Sequence, residues 1–214
     1  MGNTNSFTIK NRANEGRSRA HDAKKRLSCD TRSCTSDGSE TVHGLVLRKD
    51  TPVPADCPPD LKLVREFIRL KDEHKLEEMK KLTADHCDFL FVDSDCEMPA
   101  YEFYTAVKET TESFPDLHFH WKSMSIKGIN GPESKHPGTV VVIKNYYGIG
   151  THTGKPYGFG PYPPIAATGK RIRDQKIEFT FVVRDGKISH AIIDAFGQVV
   201  GPPGFYTKLG GLIF

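Results

Sequence analysis

Asp194 is the residue of this 214-residue chain whose setting best suits proton transfer. It lies near the end of an apolar run and shares a predicted strand face with Ile192 and Phe196. Apolar surroundings disfavour a charged carboxylate and raise its pKa, so Asp194 is a candidate general acid and base. The alternative is an Asp at a strand end that faces water or pairs with a lysine.

His190 is the second and weaker candidate for catalysis. It falls on the same predicted face as Asp194, four residues earlier, which is about 13 Å along an extended strand. That separation excludes a direct pair, although a substrate could span the two side chains. The alternative is a surface histidine with no catalytic role.

A second group of residues is predicted to contact a small ligand. Asn145 and Tyr147 fall on the otherwise apolar face of segment 139–149, where a buried polar group needs a partner. That partner is either a ligand or another group of the core. The aromatic residues predicted to complete the pocket wall and its rim are Trp121, Phe181, Tyr157 and Phe159. The last two lie in a Gly- and Pro-rich insertion, 155–166, which is predicted to form either a lid or a dimer contact.

No motif in the chain predicts a metal ion or an organic cofactor. His118 and His120 lie two residues apart on one strand face, but no third ligand is evident. The Gly-rich stretch 158–164 lacks the G-K-[ST] ending of a phosphate-binding loop. The five cysteines fit no zinc spacing, and their odd number indicates a reduced, intracellular protein.

The elements that must position these residues change in type along the chain. Apolar residues recur at helical spacing over 60–83, and a second helix is predicted to begin near Pro99. Beyond it, apolar and polar residues alternate as in strands over 117–122, 139–149, 176–184 and 188–196. Helices followed by long strands predict an α+β fold, in which a curved antiparallel sheet packs over the helices and encloses a hollow.

An ordered set of motifs resembles a known family. The motifs are FPDL at 114–117, GTHTG at 150–154, TGKR at 168–171 and RDGKI at 184–188. Together they resemble the SnoaL-like polyketide cyclase group of the nuclear-transport-factor-two-like superfamily, over about residues 60–212. The resemblance implies a cone-shaped α+β barrel that is often dimeric through its sheet. It also implies ring closure by an intramolecular aldol reaction without metal or cofactor, with an acidic residue near the last strand as acid and base.

The first 56 residues are predicted to be a disordered basic tail, and residues 57–214 the SnoaL-like domain. The tail holds 10 Lys and Arg against 7 Asp and Glu, so the whole formal net charge of +3 belongs to it. The rest of the chain is neutral on balance, so no nucleic-acid partner is predicted.

The start of the tail carries a sharper signal. Met1 to Ser6 fit the pattern for N-myristoylation of Gly2, and basic residues at 10–26 would add attraction to an anionic membrane surface. Ser28 follows two basic residues and resembles a kinase site. The alternative is an ordinary hydrophilic tail, which the mass of the native N-terminus would distinguish. We therefore predict a cytoplasmic protein that is peripheral at a membrane if Gly2 is acylated.

Two functions remain open on these grounds. The first is a module that binds a small hydrophobic molecule or mediates oligomerisation as a homodimer, tethered to a membrane through its tail. The second is a cofactor-independent cyclase or isomerase that acts on an apolar carbonyl compound with Asp194 as general acid and base. An ionisable group that faces a void inside the sheet would favour the second.

Overall fold

The computed structural model describes residues 45–213 of the chain. Gly2, Ser28 and most of the predicted tail lie outside the described residues. The described part contains four helices: α1 (Pro59–Asp72), α2 (Leu76–Lys80), α3 (Ala100–Ser113) and α4 (Gly201–Lys208). Its strands are β1 (Val46–Leu47), β2 (Thr83–Phe91), β3 (Cys96–Pro99), β4 (His118–His120), β5 (Ser123–Asn130), β6 (Gly138–Thr151), β7 (Tyr157–Phe159), β8 (Tyr162–Ile165), β9 (Arg171–Arg173), β10 (Ile177–Arg184) and β11 (Lys187–Asp194).

Nine of these strands form one open mixed sheet. The strand order is β1-β5-β6-β10-β11-β2-β3, and β4 and β9 also pair with β6. Every pair in this sheet is antiparallel except β2 with β11. Strands β7 and β8 form a separate hairpin. The predicted α+β class is confirmed, but the sheet is not closed into a barrel, and its parallel pair was not predicted.

Helix α1 shows how the sequence builds the layer beneath the sheet. Pro59 sets the φ angle of the first turn, and Asp60 places a negative charge near the positive end of the helix dipole. The buried stripe of the helix is Leu61, Val64, Phe67, Ile68, Leu70 and Lys71. This stripe packs into the main core, so α1 is fixed by burial of one face.

Strand β6 contains a β-bulge that changes which of its side chains point inward. On its partner β10, Phe179 pairs with Ile143 and Ile177 pairs with Tyr146. Three residue steps on β6 therefore match two on β10, which is the signature of a bulge. Asn145 lies in the bulge with a φ of 54°, a conformation that Asn adopts more readily than most residues. Beyond the bulge, Tyr146 rather than Tyr147 belongs to the core.

The folded part begins before residue 57, the predicted boundary. Val46 and Leu47 form β1 and pair with Ser125 and Met124 of β5. Leu47 is only 2% exposed and belongs to the main core. A strand of two residues is too short to show a period, so the sequence pattern could not reveal it.

Leu47→Ala should lower the free energy of unfolding by about 2–3 kcal/mol, because it removes a buried side chain from the core. Val46→Ala is the matched control, since Val46 is the neighbouring strand residue and is 53% exposed. Its effect should stay within about 0.5 kcal/mol. Urea denaturation followed by circular dichroism measures both. Equal effects of the two changes would show that β1 does not contribute to the fold.

Candidate functional site

A cavity of about 90 Å³ lies between α1, α3 and the inner face of the sheet. Its wall is mostly apolar and includes Phe91, Phe103, Leu117, Phe119, Phe179 and Phe205. The volume is well below the roughly 300–1,000 Å³ of pockets for drug-sized ligands. The cavity therefore suits a small molecule, or one end of a longer molecule.

A larger open groove of about 700 Å³ lies on the outside, between α2 and α3. Its lining includes the charged side chains of Glu77, Lys80 and Lys108. Water solvates such side chains in an open groove, so their charges do not require a bound ligand. The buried cavity is the stronger candidate site.

Lys71 brings a primary amine to the wall of the cavity. The residue is only 7% exposed. Its Nζ lies 4.2 Å from the ring centroid of Phe119 and 5.1 Å from that of Tyr146. The centroids of Phe103 and Phe179 are 5.5 and 5.8 Å away. Among residues 45–213, no hydrogen bond or salt bridge engages this amine.

This environment shifts the protonation equilibrium of Lys71. Burial lowers its pKa to about 7, against smaller opposing effects of the Asp174 and Asp72 carboxylates. An exposed lysine titrates near 10.4. The surrounding ring faces attract the ammonium form, so both protonation states are accessible near neutral pH.

Asp174 places a carboxyl group on the same cavity wall. It directly follows β9, and its backbone N–H donates to the carbonyl of Gly148 at 2.8 Å. Its side chain accepts hydrogen bonds from Lys208 Nζ and from the backbone N–H of Gly201, each at 3.3 Å. Burial raises the pKa of Asp174, although Lys208 and these donors oppose the shift.

Tyr146 contributes a hydroxyl group that has no hydrogen-bond partner among the described residues. The bulge in β6 turns this side chain inward, where its ring stacks on Phe119 with centroids 5.3 Å apart. Burial raises its pKa well above the usual value, so the hydroxyl stays protonated. An unpaired buried hydroxyl costs roughly 1–3 kcal/mol, and a ligand oxygen in the cavity could satisfy it.

The two predicted catalytic residues do not line this cavity. Ile193 does, so its neighbours on β11, including Asp194, belong to the opposite face of the sheet. The Asp194 carboxylate accepts a hydrogen bond from the backbone N–H of Phe196 at 3.0 Å. His190 is buried on that opposite face and stacks on His136, with ring centroids 3.7 Å apart. Asp194 is therefore not part of the lining of this cavity.

The predicted ligand-binding residues on β6 are separated by the bulge. Asn145 lies in the bulge and is not part of the cavity lining. Tyr147 is part of the lining, but its ring stacks on His120 at 5.2 Å and on the guanidinium of Arg173 at 4.2 Å. Its aromatic ring is therefore engaged by groups other than the cavity wall.

Trp121 and Phe181 are core residues that do not line the cavity. The guanidinium of Arg65 lies 5.9 Å from the Trp121 ring centroid. Phe181 is fully buried and packs edge-on against Phe67, with centroids 5.5 Å apart. The Phe181 ring also lies 4.2 Å from that of Phe179, which lines the cavity, so Phe181 supports the wall from behind.

The insertion at 155–166 packs against α4. The Phe159 ring lies 6.3 Å from that of Tyr206. Tyr157 is buried and its hydroxyl donates to the carbonyl of Pro202 at 3.4 Å. Neither Tyr157 nor Phe159 lines the cavity, so the hairpin β7–β8 forms a second layer behind α4 and does not cover the cavity.

Sequence reasoning missed Lys71, Asp174 and Tyr146. Only Lys71 had an accessible signal, because it falls three residues after Ile68 on the apolar stripe of α1. Among the described residues, no group of three or more His, Cys, Asp and Glu side chains is placed to hold a metal ion. In the same part of the chain, no helix has the length and apolar content needed to cross a membrane.

Comparisons with known proteins give matches only among solved structures. No protein-family model matches the chain, and no curated protein matches it. TsrD from Streptomyces laurentii is 14% identical, with 72% of this chain and 96% of that chain covered and a TM-score of 0.49. A proposed SnoaL-like polyketide cyclase from Shewanella denitrificans is 15% identical, with 64% and 89% covered and a TM-score of 0.43. A proposed hydroxylase from Streptomyces galilaeus, AclR, is 19% identical, with 71% and 81% covered and a TM-score of 0.47.

The chain is similar in fold to proteins described as proposed SnoaL-like polyketide cyclases. This is the group that the sequence motifs resemble. Identities are at most 19% and TM-scores lie below 0.5 for the proteins just described, so no activity is carried over from them. The chemistry of the site rests on the residues of this chain.

Lys71→Met should make the protein more stable below pH 7, by roughly 3–5 kcal/mol, because it removes a buried amine whose pKa is depressed by burial. The unfolded chain binds the extra proton between about pH 7 and 10, so the stability of the natural protein rises over that range. The difference between variant and natural protein should shrink accordingly. The charged and titratable groups that face the amine are Asp72, Asp174 and Tyr146.

Urea denaturation at pH 6, 8 and 9.5 measures this difference. Lys62→Met is the matched control, since Lys62 is an exposed lysine of the same helix. Its effect should stay within about 0.5 kcal/mol at every pH. A Lys71→Met difference that does not change with pH would contradict the depressed pKa.

Proposed function

We propose that the protein binds a small, apolar carbonyl compound in the cavity between the helices and the sheet. The observation that supports this proposal is that Lys71, Asp174 and Tyr146 all belong to a cavity lining that is otherwise mostly apolar. They carry an amine, a carboxyl group and a hydroxyl that has no hydrogen-bond partner among the described residues. Binding sites for small molecules combine apolar walls with a few well-placed polar groups. A carbonyl compound fits because its oxygen accepts from the Tyr146 hydroxyl while its carbon skeleton contacts the aromatic rings.

The entrance to the cavity is best sought beside β2, β3 and the start of α4. The half-buried residues of the lining gather there and include Phe91, Met98, Gly201 and Pro202. Ala106, Tyr147 and Asp174 are also half-buried, and the remaining residues of the lining are buried. A ligand that enters from this side meets Asp174 near the start of α4, since Gly201 donates to that carboxylate.

Ala106→Phe should weaken the binding of cyclopentanone at least tenfold, because a larger side chain at this position of α3 fills the cavity. Chemical shifts of the Met98 and Val107 methyl groups, both in the lining, measure binding during a titration. Thr105→Phe is the matched control, since Thr105 is the exposed neighbour of Ala106. It should bind as the natural protein does. Equal affinity in both variants, or no methyl shift in the natural protein, would refute binding in this cavity.

A second candidate function is a cofactor-independent cyclase or isomerase, which Asp174 rather than Asp194 would serve. Its carboxyl group has a raised pKa and lies on the same cavity wall as the amine of Lys71. Two titratable groups in one apolar cavity can remove a proton next to a carbonyl and return it elsewhere. An aldol cyclisation or an isomerisation requires these proton transfers.

Asp174→Asn should slow proton exchange at the carbon next to the carbonyl of cyclopentanone by about 10²-fold or more, if Asp174 is the base. The measurement is deuterium incorporation from heavy water, followed by mass spectrometry. Asp194→Asn is the matched control and should exchange at the natural rate. Exchange no faster than in buffer alone would exclude the enzyme and leave the binding function.

Three further parts of the proposal concern the whole protein. We retain a homodimer, a tether of the tail to an anionic membrane through acylated Gly2, and a cytoplasmic location as predictions. Gly2 lies outside residues 45–213, so the tether does not bear on the cavity. Analytical ultracentrifugation and the mass of the native N-terminus test the dimer and the acylation.

A further inference from the structure

We propose that Lys71 binds its ligand covalently, as a reversible imine with an aldehyde or ketone group in the cavity. This inference rests on the proposed function, because the carbonyl compound must first enter the cavity. It goes further by naming the attacking atom, Nζ of Lys71, and by limiting the ligand class to aldehydes and ketones. Esters, amides and carboxylates fall outside this class because they do not give imines with amines.

The geometry around Nζ favours attack. The amine lies on the cavity wall among four aromatic rings, and none of the described carboxylates holds it in a salt bridge. An amine in a salt bridge has its lone pair blocked by a proton, whereas an unpaired amine in a desolvated pocket can act as a nucleophile. Since burial brings the pKa of Lys71 to about 7, a large share of this amine is neutral at physiological pH.

The reaction is balanced without any co-reactant. The lone pair of Nζ forms a bond to the carbonyl carbon, the C=O π electrons move to oxygen, and that oxygen takes up a proton. The nitrogen loses a proton, which gives a carbinolamine. Protonation of its hydroxyl then lets water leave while the nitrogen lone pair forms the C=N bond, and loss of the last N–H proton gives the neutral imine. The sum is one amine and one carbonyl compound converted into one imine and one water.

The polar groups of the same wall suit these proton transfers. The Tyr146 hydroxyl has no other partner among residues 45–213 and can donate to the carbonyl oxygen as negative charge develops there. Burial raises the pKa of Asp174, so its carboxylate can take up the proton that the nitrogen loses and return it to the hydroxyl that leaves as water. The apolar wall excludes bulk water, which slows hydrolysis of the imine once it has formed.

Butanal with sodium cyanoborohydride tests the inference on the full-length protein, because cyanoborohydride reduces an imine to a stable secondary amine. Mass spectrometry should find one butyl group in place of one hydrogen, and peptide mapping should place it on Lys71. At pH 7, an ordinary lysine with a pKa near 10.4 is neutral in only about one molecule in 10³. Lys71 should therefore react at least tenfold faster than Lys62, the exposed lysine of the same helix.

Two variants and a competitor make the test specific. Lys71→Arg keeps a cation but cannot form an imine, and Lys71→Met removes the amine while suiting the apolar wall. Both should lose the fast adduct, and thermal unfolding checks that each is folded. Lys62→Arg should keep the adduct at the natural rate. Cyclopentane, which is apolar and has no carbonyl, should slow the labelling of Lys71 by occupying the cavity.

The outcomes separate this inference from the function on which it rests. Fast labelling of Lys71 that cyclopentane suppresses supports the imine. Methyl shifts with cyclopentanone but no preferential labelling of Lys71 would overturn the imine and leave non-covalent binding in place. Neither shifts nor labelling would overturn both. Labelling of Lys71 no faster than of Lys62 would show that the amine is a buried structural cation held by its aromatic rings.

Discussion

The β-bulge at Asn145 sets which side chains the sheet presents to the cavity. Without the extra residue, regular alternation after Ile143 would place Tyr147 on the inner face and Tyr146 on the outer face. Strand β6 also pairs with β4, β5, β9 and β10, so its path positions four neighbours. One of them, β9, ends directly before Asp174, and the backbone N–H of Asp174 donates to the carbonyl of Gly148, just beyond the bulge. The hydroxyl and the carboxyl of the site thus depend on one irregular residue.

The buried amine of Lys71 is the second constraint, and it opposes folding. A methionine at this position would pack against the same rings without any desolvation of charge. The rest of the α1 stripe, which includes Leu61, Val64 and Phe67, is apolar and fully buried. The burial of these side chains offsets the desolvation cost of the amine. Residues that cost stability and face a cavity are typical of functional sites, where a perturbed pKa is useful.

The class of the fold could be predicted from the sequence more reliably than the residues of the site, and the reason is physical. Helical and strand periods are local, so α1, α3 and the long strands were visible as patterns. Which face of a strand lies inward is decided by distant partners. On β11, Ile192 and Ile193 are both buried, at 7% and 5% exposure, so alternation could not show that Asp194 faces away from the cavity. The period of α1, by contrast, includes the position of Lys71, but the charge of this residue kept it from being assigned to the buried stripe.

The ionisation states of the cavity follow from how its carboxyl group is held. The Asp174 carboxylate forms a salt bridge with Lys208, at 3.3 Å, and accepts a hydrogen bond from the backbone N–H of Gly201 at the start of α4. These partners come from α4, so the negative charge does not require Lys71 as its counter-ion. If Lys71 were that counter-ion, the two groups would titrate as one pair and the amine would stay protonated. Because α4 supplies the charge balance, the amine can remain neutral, and a neutral amine beside a proton donor is what reaction with a carbonyl group requires.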